Sequence, residues 1–135
     1  MKMSKTRLFV SKKLSANILI YIKNKQHHFL KNVLRIKKED NISLFDGFTG
    51  EWLSKVISIN RDNIVLQIQN KLRDIPQQTD LWLVFAPIKS YRMNITIQKA
   101  TELGISRFIP ILTEYTNQSK INFQNFELNM IEASE

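Results

Sequence analysis

Residues 88–104 read IKSYRMNITIQKATELG, and the fold of the second half of the chain turns on them. Met93, Ile97, Ala100 and Leu103 recur at spacings of four, three and three, which sets one apolar stripe along a helix. Gly104 follows where a left-handed C-cap belongs, because glycine takes positive φ without a Cβ clash. The run before it, LWLVFA at 81–86, is apolar throughout and predicts a strand buried on both faces, as in a parallel sheet. The run after it, FIPIL at 108–112, predicts a second strand. Strand, helix and strand within about thirty residues make a βαβ unit, whose crossover is nearly always right-handed.

Further along, Phe123, Phe126 and Met130 stand at helical spacing, so residues 123–135 read as another helix. Two parallel strands and one or two helices bury little core, because such strands need neighbours on both edges. Before residue 80 the pattern changes. Residues 7–10 predict a short strand after a basic leader, and 18–22 predict another. Residues 26–35 predict a helix with Phe29, Leu30, Val33 and Leu34 as its stripe. Residues 42–45 predict a strand, Asp46-Gly47-Phe48-Thr49-Gly50 a turn-rich loop, and Trp52, Val56 and Ile59 fall in the returning strand. Asn60-Arg61-Asp62-Asn63 is a polar turn, and IVLQI at 64–68 alternates as a half-buried strand does. Several short strands with one helix predict a small β-barrel over 1–73. A linker over 71–79, with Pro76, leads to the second domain at 80–135. The fold class is therefore α+β followed by α/β.

Composition narrows the function classes. The chain has 135 residues, 43% of them hydrophobic, and no cysteine. That excludes a disulfide framework, cysteine zinc sites and thiol catalysis. No apolar run reaches membrane-spanning length and the amino terminus lacks an apolar signal core, so a cytoplasmic protein with no membrane partner is expected. The net charge of +8 is unevenly placed. Residues 1–40 hold eleven Lys or Arg against Glu39 and Asp40, whereas 41–135 hold nine basic and ten acidic residues. A cationic first segment suits phosphate contacts and RNA; a lysine-rich solvated face from biased composition is the plainer alternative.

IQKATELG, a few residues after Lys89-x-x-Arg92, resembles the core of the bacterial 16S rRNA (uracil-N3)-methyltransferase family, SPOUT-class enzymes that use S-adenosylmethionine. HHFLKNVLRIKKEDNISLFDG at 27–47 resembles that family's amino-terminal His-His, Val-Leu-Arg and Leu-Phe-Asp-Gly segment. Arg7-Leu8-Phe9, Ile109-Pro110 and IEASE at 131–135 fit in the same order. The resemblance implies a PUA-like RNA-binding β-barrel, then the first βαβ portion of a SPOUT methyltransferase domain. It also implies 16S rRNA or the small ribosomal subunit as partner, and a homodimer. Family members continue beyond the point matched by Glu135, so a truncated form is expected, lacking the glycine-rich knot that grips the methyl donor.

Several residues are candidates for chemistry. His27 and His28 are neighbours, so on a helix they point about 100° apart and do not converge on one ion; no further ligands stand at metal spacing, and no metal is expected. They read as a surface or core-edge pair, or, by the resemblance, as RNA or interface contacts with Arg35. Arg7 and Arg35 suit forked recognition of phosphate or base edges, and Arg35 equally suits a solvated helix end. Lys89 and Arg92 fall at the carboxyl end of a strand, where open α/β sheets collect ligands; the resemblance places them on the substrate side of the cleft. Gln98, Lys99 and Glu102 recur in the family's helix and are substrate-cleft candidates, although Lys99 and Glu102 also suit a surface pair. At Glu114 the family usually shows Glu-Arg, but Tyr115 replaces the arginine here.

The resemblance implies S-adenosylmethionine as cofactor. Nucleotide-like ligands need close backbone approach, yet the three glycines, Gly47, Gly50 and Gly104, fall at a turn, a turn and a helix cap. No cofactor-binding residue is expected in this chain. The two functional expectations are therefore an rRNA methyltransferase portion, and a non-catalytic RNA-binding module or inactive remnant of that enzyme.

Overall fold

The computed structural model describes residues 4–77, 79–116 and 120–135; the start of the expected basic leader and one residue of the expected linker lie outside them. The chain divides into two compact units, Met1–Pro76 and Gln77–Glu135.

The first unit is built on five strands: β1 (Arg7–Phe9), β2 (Leu19–Ile22), β3 (Asn41–Phe45), β4 (Glu51–Ile59) and β5 (Ile64–Arg73). They form one sheet in the order β1-β3-β4-β5-β2, with β1 parallel to β3 and the other pairs antiparallel. The edge strands stand at opposite ends of that order. Even so, Leu8 of β1 and Ile20 and Ile22 of β2 share one core with Ile42, Leu44, Val56, Leu66 and Ile68. The sheet therefore curls around its core, as the barrel reading requires. Register shifts between β4 and β5 at Glu51/Trp52, Trp52/Ser54 and Val56/Ser58 supply the bend. β5 runs to Arg73, so the first residues of the expected linker are strand.

The helix expected over 26–35 differs in form. It begins as α1 (Asn24–His28) and widens into a π-helical turn over Phe29–Val33. There the Leu34 N–H donates five residues back to the Phe29 carbonyl at 3.0 Å. The wider turn rotates the expected stripe, so that Leu30 is fully buried while Phe29 and Val33 face outward. Arg35 ends the segment in the left-handed region, at φ +49.

One carboxylate organises the loop between β3 and β4. Asp46 is 1% exposed. Its Oδ1 accepts from the N–H groups of Phe48 (2.8 Å) and Thr49 (2.7 Å). Its Oδ2 accepts from the Leu14 N–H (2.8 Å) and the Thr49 hydroxyl (2.7 Å). Gly50 is required at the loop's end, because its φ is +110 and a Cβ there would collide with the Arg73 carbonyl oxygen.

In the second unit β6 (Trp82–Phe85), α2 (Ser90–Glu102) and β7 (Arg107–Pro110) form the expected βαβ element. β6 and β7 pair in parallel, from Trp82 opposite Arg107 to Phe85 opposite Pro110. Met93, Ile97 and Ala100 are buried as the stripe predicts, but Leu103 is 82% exposed because it lies past the last full turn, at the cap. There the Ile105 N–H donates to the Ala100 carbonyl and the Gly104 N–H to that of Thr101, each at 3.0 Å, with Gly104 at φ +87. These two bonds form a Schellman cap. β6 is not buried on both faces: Trp82 and Val84 are exposed, while Leu83 and Phe85 are half-buried. With a single partner strand among the described residues, only one face of β6 has a covering layer. Phe85 faces it, 6.3 Å from the ring of Phe126 on α3 (Phe123–Ser134). The Asn122 side chain caps α3 by accepting from the Asn125 N–H at 3.0 Å.

Candidate nucleic-acid interface

In the first unit the cations divide into those held inside the fold and those left to solvent. Arg7 is held: its Nε lies 3.1 Å from Glu51 Oε2, and its guanidinium sits 4.1 Å from the centre of the Phe45 ring. Glu51 is buried beneath them, takes the Ser43 hydroxyl on its other oxygen, and pairs with Arg73 Nε at 2.6 Å. Burial pushes the Glu51 carboxyl up, but the Ser43 hydroxyl and the Arg73 and Arg7 guanidinium groups outweigh it, leaving the group below its ordinary value. Lys5 is likewise held by buried Asp40 at 2.6 Å.

The other described cations of the first segment face outward. Lys12, Lys13, Lys23, Lys25, Arg35, Lys37 and Lys38 are exposed, and none forms an ion pair among the described residues. α1 and the turn after it carry His27, His28 and Lys31 between Lys25 and Arg35, with no acidic residue in the first helical turn. His27 Nε2 and Lys31 Nζ both lie 3.2 Å from the Asn60 carbonyl oxygen. They tie the helix to the β4–β5 turn. His28 and Arg35 are exposed on the same segment. Thus His27 and His28 lie on α1 and Arg35 just past the turn that follows it, whereas Arg7 lies on β1 within its own ion-pair cluster.

In the second unit Lys89 and Arg92 stand at the amino end of α2, directly after β6, and both are exposed. Cations there add to the positive end of the helix dipole instead of offsetting it, so the local field favours an anion. Gln98, Lys99 and Glu102 lie on the exposed side of α2, away from Met93, Ile97 and Ala100. Lys99 Nζ and Glu102 Oε2 form an exposed pair at 2.9 Å. A cleft of about 500 Å³ opens between the amino ends of α2 and α3, lined by Pro87, Ser90, Asn94, Lys120 and Asn122 among others. Lys89 and Arg92 are not among its lining residues.

Among the described residues no three His, Asp or Glu side chains converge as a metal site would need. Among the described residues no helix is long and apolar enough to cross a membrane. What sequence reasoning missed is the bond that ties Leu14, next to Lys13, to Asp46 of the 46–50 loop, and the placement of Lys31 beside Asn60. The first spans 32 positions, for which periodicity gives no signal.

Comparison with known proteins follows the same two-unit division. A family model described as RNA methyltransferase PUA domain matches residues 22–69, and one described as RNA methyltransferase domain matches 75–135. The ribosomal RNA small subunit methyltransferase E of Rickettsia conorii is 31% identical over 134 residues, covering 98% of this chain and 55% of the relative. Both units match RNA methyltransferase family models in order, and the chain is similar to ribosomal RNA small subunit methyltransferase E over nearly its whole length.

A second relative, from Buchnera aphidicola (subsp. Schizaphis graminum), is 26% identical over 142 residues, with 98% of this chain and 58% of the relative covered. The chain spans about half the length of these curated methyltransferase E relatives. Solved structures share the fold. A Legionella pneumophila methyltransferase-type protein in complex with S-adenosylmethionine superposes with a TM-score of 0.81 at 20% identity, over 94% of this chain and 55% of that one. The Neisseria gonorrhoeae methyltransferase E bound to the same cofactor gives 0.77 at 22% identity, over 96% and 55%.

Proposed function

We propose that this chain forms the RNA-binding and substrate-side part of an enzyme that methylates N3 of a uridine in 16S rRNA, with S-adenosylmethionine as methyl donor. The observation that carries the reading is the ordered match of both units to one named family of rRNA methyltransferases. The charge distribution supports it. Unit Met1–Pro76 holds fifteen basic and six acidic residues, and Gln77–Glu135 holds five and six.

Within this reading His28 and Arg35, with the exposed lysines around them, meet the RNA backbone. Arg7 and His27 hold the surface in shape through Glu51 and Asn60. Lys89 and Arg92 hold a phosphate of the strand that carries the target base, and Gln98, Lys99 and Glu102 order the substrate from the exposed side of α2. When bound, S-adenosylmethionine supplies an electrophilic methyl group. None of the three glycines offers it a backbone cradle. Gly50 is filled by the end of β5, Gly104 closes the α2 cap, and Gly47 turns a loop. No step is therefore assigned to this chain's residues at the donor, and their contribution lies on the RNA side. Those same glycines favour a second reading, in which the chain acts by binding RNA alone.

Two measurements on the 135-residue chain test the proposal. The first is the affinity for 16S rRNA of the parent and of an Arg35→Glu/Lys89→Glu/Arg92→Glu variant. Binding by the parent that weakens at least tenfold in the variant is expected, since each phosphate left without its cation reduces the electrostatic term. The second is transfer of labelled methyl from S-adenosylmethionine to unmodified small-subunit RNA, which separates the enzymatic reading from binding alone. Failure to bind rRNA at low salt would overturn both.

A further inference from the structure

The loop at Asp46–Gly50 presents an aromatic ring in a way that the fold itself does not need. Phe48 is 75% exposed. A single exposed phenyl is ordinary, but three features set this one apart. Its backbone is fixed, because the Phe48 and Thr49 N–H groups both donate to buried Asp46, and Thr49 in turn accepts from Trp52 Nε1 at 2.9 Å. The space outside the turn is open: a Cβ added at neighbouring Gly47 would meet nothing within 4 Å. Finally, a cationic segment is tied to the loop's anchor. The Leu14 N–H donates to the same Asp46 carboxylate, so the exposed Lys12 and Lys13 immediately precede a residue bonded to the loop's anchor.

From this arrangement we infer that Phe48 is a stacking platform for an unpaired RNA base, with Lys12 and Lys13 holding the phosphates that flank it. The inference rests on the RNA-binding reading above and extends it to a site and to a substrate class, single-stranded RNA. An aromatic face accepts any base, and the cations of the tied segment follow the backbone, the two elements that single-strand binding combines. A fixed loop loses little entropy on binding, so the ring is ready for a base. Of the other strongly exposed aromatic rings, Tyr91, Tyr115 and Phe123 belong to the unit without a basic excess, and Tyr21, in the first unit, lies on strand β2 and not in a loop. Phe48 belongs to the unit that carries the whole of that excess.

The test is fluorescence anisotropy of the 135-residue chain with a labelled single-stranded oligouridine and with an RNA duplex of equal length. Phe48→Ala, at an exposed position, is expected to melt with the parent, to bind the single strand roughly tenfold more weakly, and to leave duplex affinity within about twofold. Phe48→Trp is expected to restore single-strand binding. Lys12→Ala/Lys13→Ala is expected to weaken both probes and to reduce the single-strand salt slope by roughly 1.4, about 0.7 for each phosphate no longer neutralised. If Phe48→Ala binds the single strand as the parent does while the lysine variant weakens, stacking is overturned and RNA binding by charge stands; Phe48 then serves a protein partner or none. If the parent binds neither probe, the RNA reading and this inference fall together.

Discussion

Asp46 shows how a single side chain can set local geometry. Burial pushes its carboxyl up, but the Thr49, Leu14 and Phe48 N–H groups and the Thr49 hydroxyl outweigh that, and the group lies below its ordinary value of 3.8. A carboxyl lowered by folding stabilises the native state fully above the unfolded value. That contribution is lost as pH falls through the lower folded value. Stability measured by urea unfolding is therefore expected to drop as pH falls below about 4, and less steeply in Asp46→Asn. Glu51 acts in the same direction, so part of the acid sensitivity remains in that variant. Arg35 presents the opposite case, an exposed arginine held at φ +49, where a Cβ costs about 1–2 kcal/mol. Arg35→Gly is expected to keep or raise the melting temperature while lowering rRNA affinity. A lower melting temperature would show instead that the guanidinium supports the fold.

At the scale of elements, α2 and α3 are joined by a polar bridge as well as by apolar contact. Asn94 Oδ1 on α2 accepts from Asn125 Nδ2 at 2.8 Å and Asn129 Nδ2 at 3.1 Å on α3. No residue of α3 is fully buried, so this bridge carries an unusual share of the docking. Asn94→Ala leaves two part-buried amides short of an acceptor and is expected to cost about 1–3 kcal/mol in urea unfolding. Asn94→Asp keeps the acceptor and is expected to remain near the parent. The βαβ element was legible because Met93, Ile97 and Ala100 mark a helix by spacing alone, and Gly104 marks its end. The exposed face of β6 was not legible. An apolar strand states what it can bury, while the layers around it decide what it does bury.

For the molecule as a whole, the excess positive charge belongs to unit Met1–Pro76, and the salt dependence of binding is expected to follow it. Reversing Lys23 and Lys25 should flatten the plot of log affinity against log salt, by roughly 0.7–0.9 for each phosphate no longer neutralised. Reversing Arg107 in the second unit should barely move it, because its guanidinium lies 4.8 Å from the centre of the Trp82 ring in a unit with no basic excess. Equal slopes for the two variants would show that the RNA footprint is not concentrated in the first unit.

The amino-acid sequence by itself determined the order of strands and helices, the α2 stripe with its glycine cap, the cationic first segment and the family motifs. Each of these is written in residues close together along the chain, where periodicity and turn chemistry act. Tertiary structure decided which cations are held and which are free. Arg7 and Lys12 look alike in the sequence, yet pairing of β1 with β3 and of β3 with β4 sets Arg7 against Glu51, while a buried carboxylate draws the segment containing Lys12 to the rim of a loop. Such long-range pairings depend on how the sheet closes around its core, and no local pattern encodes that closure.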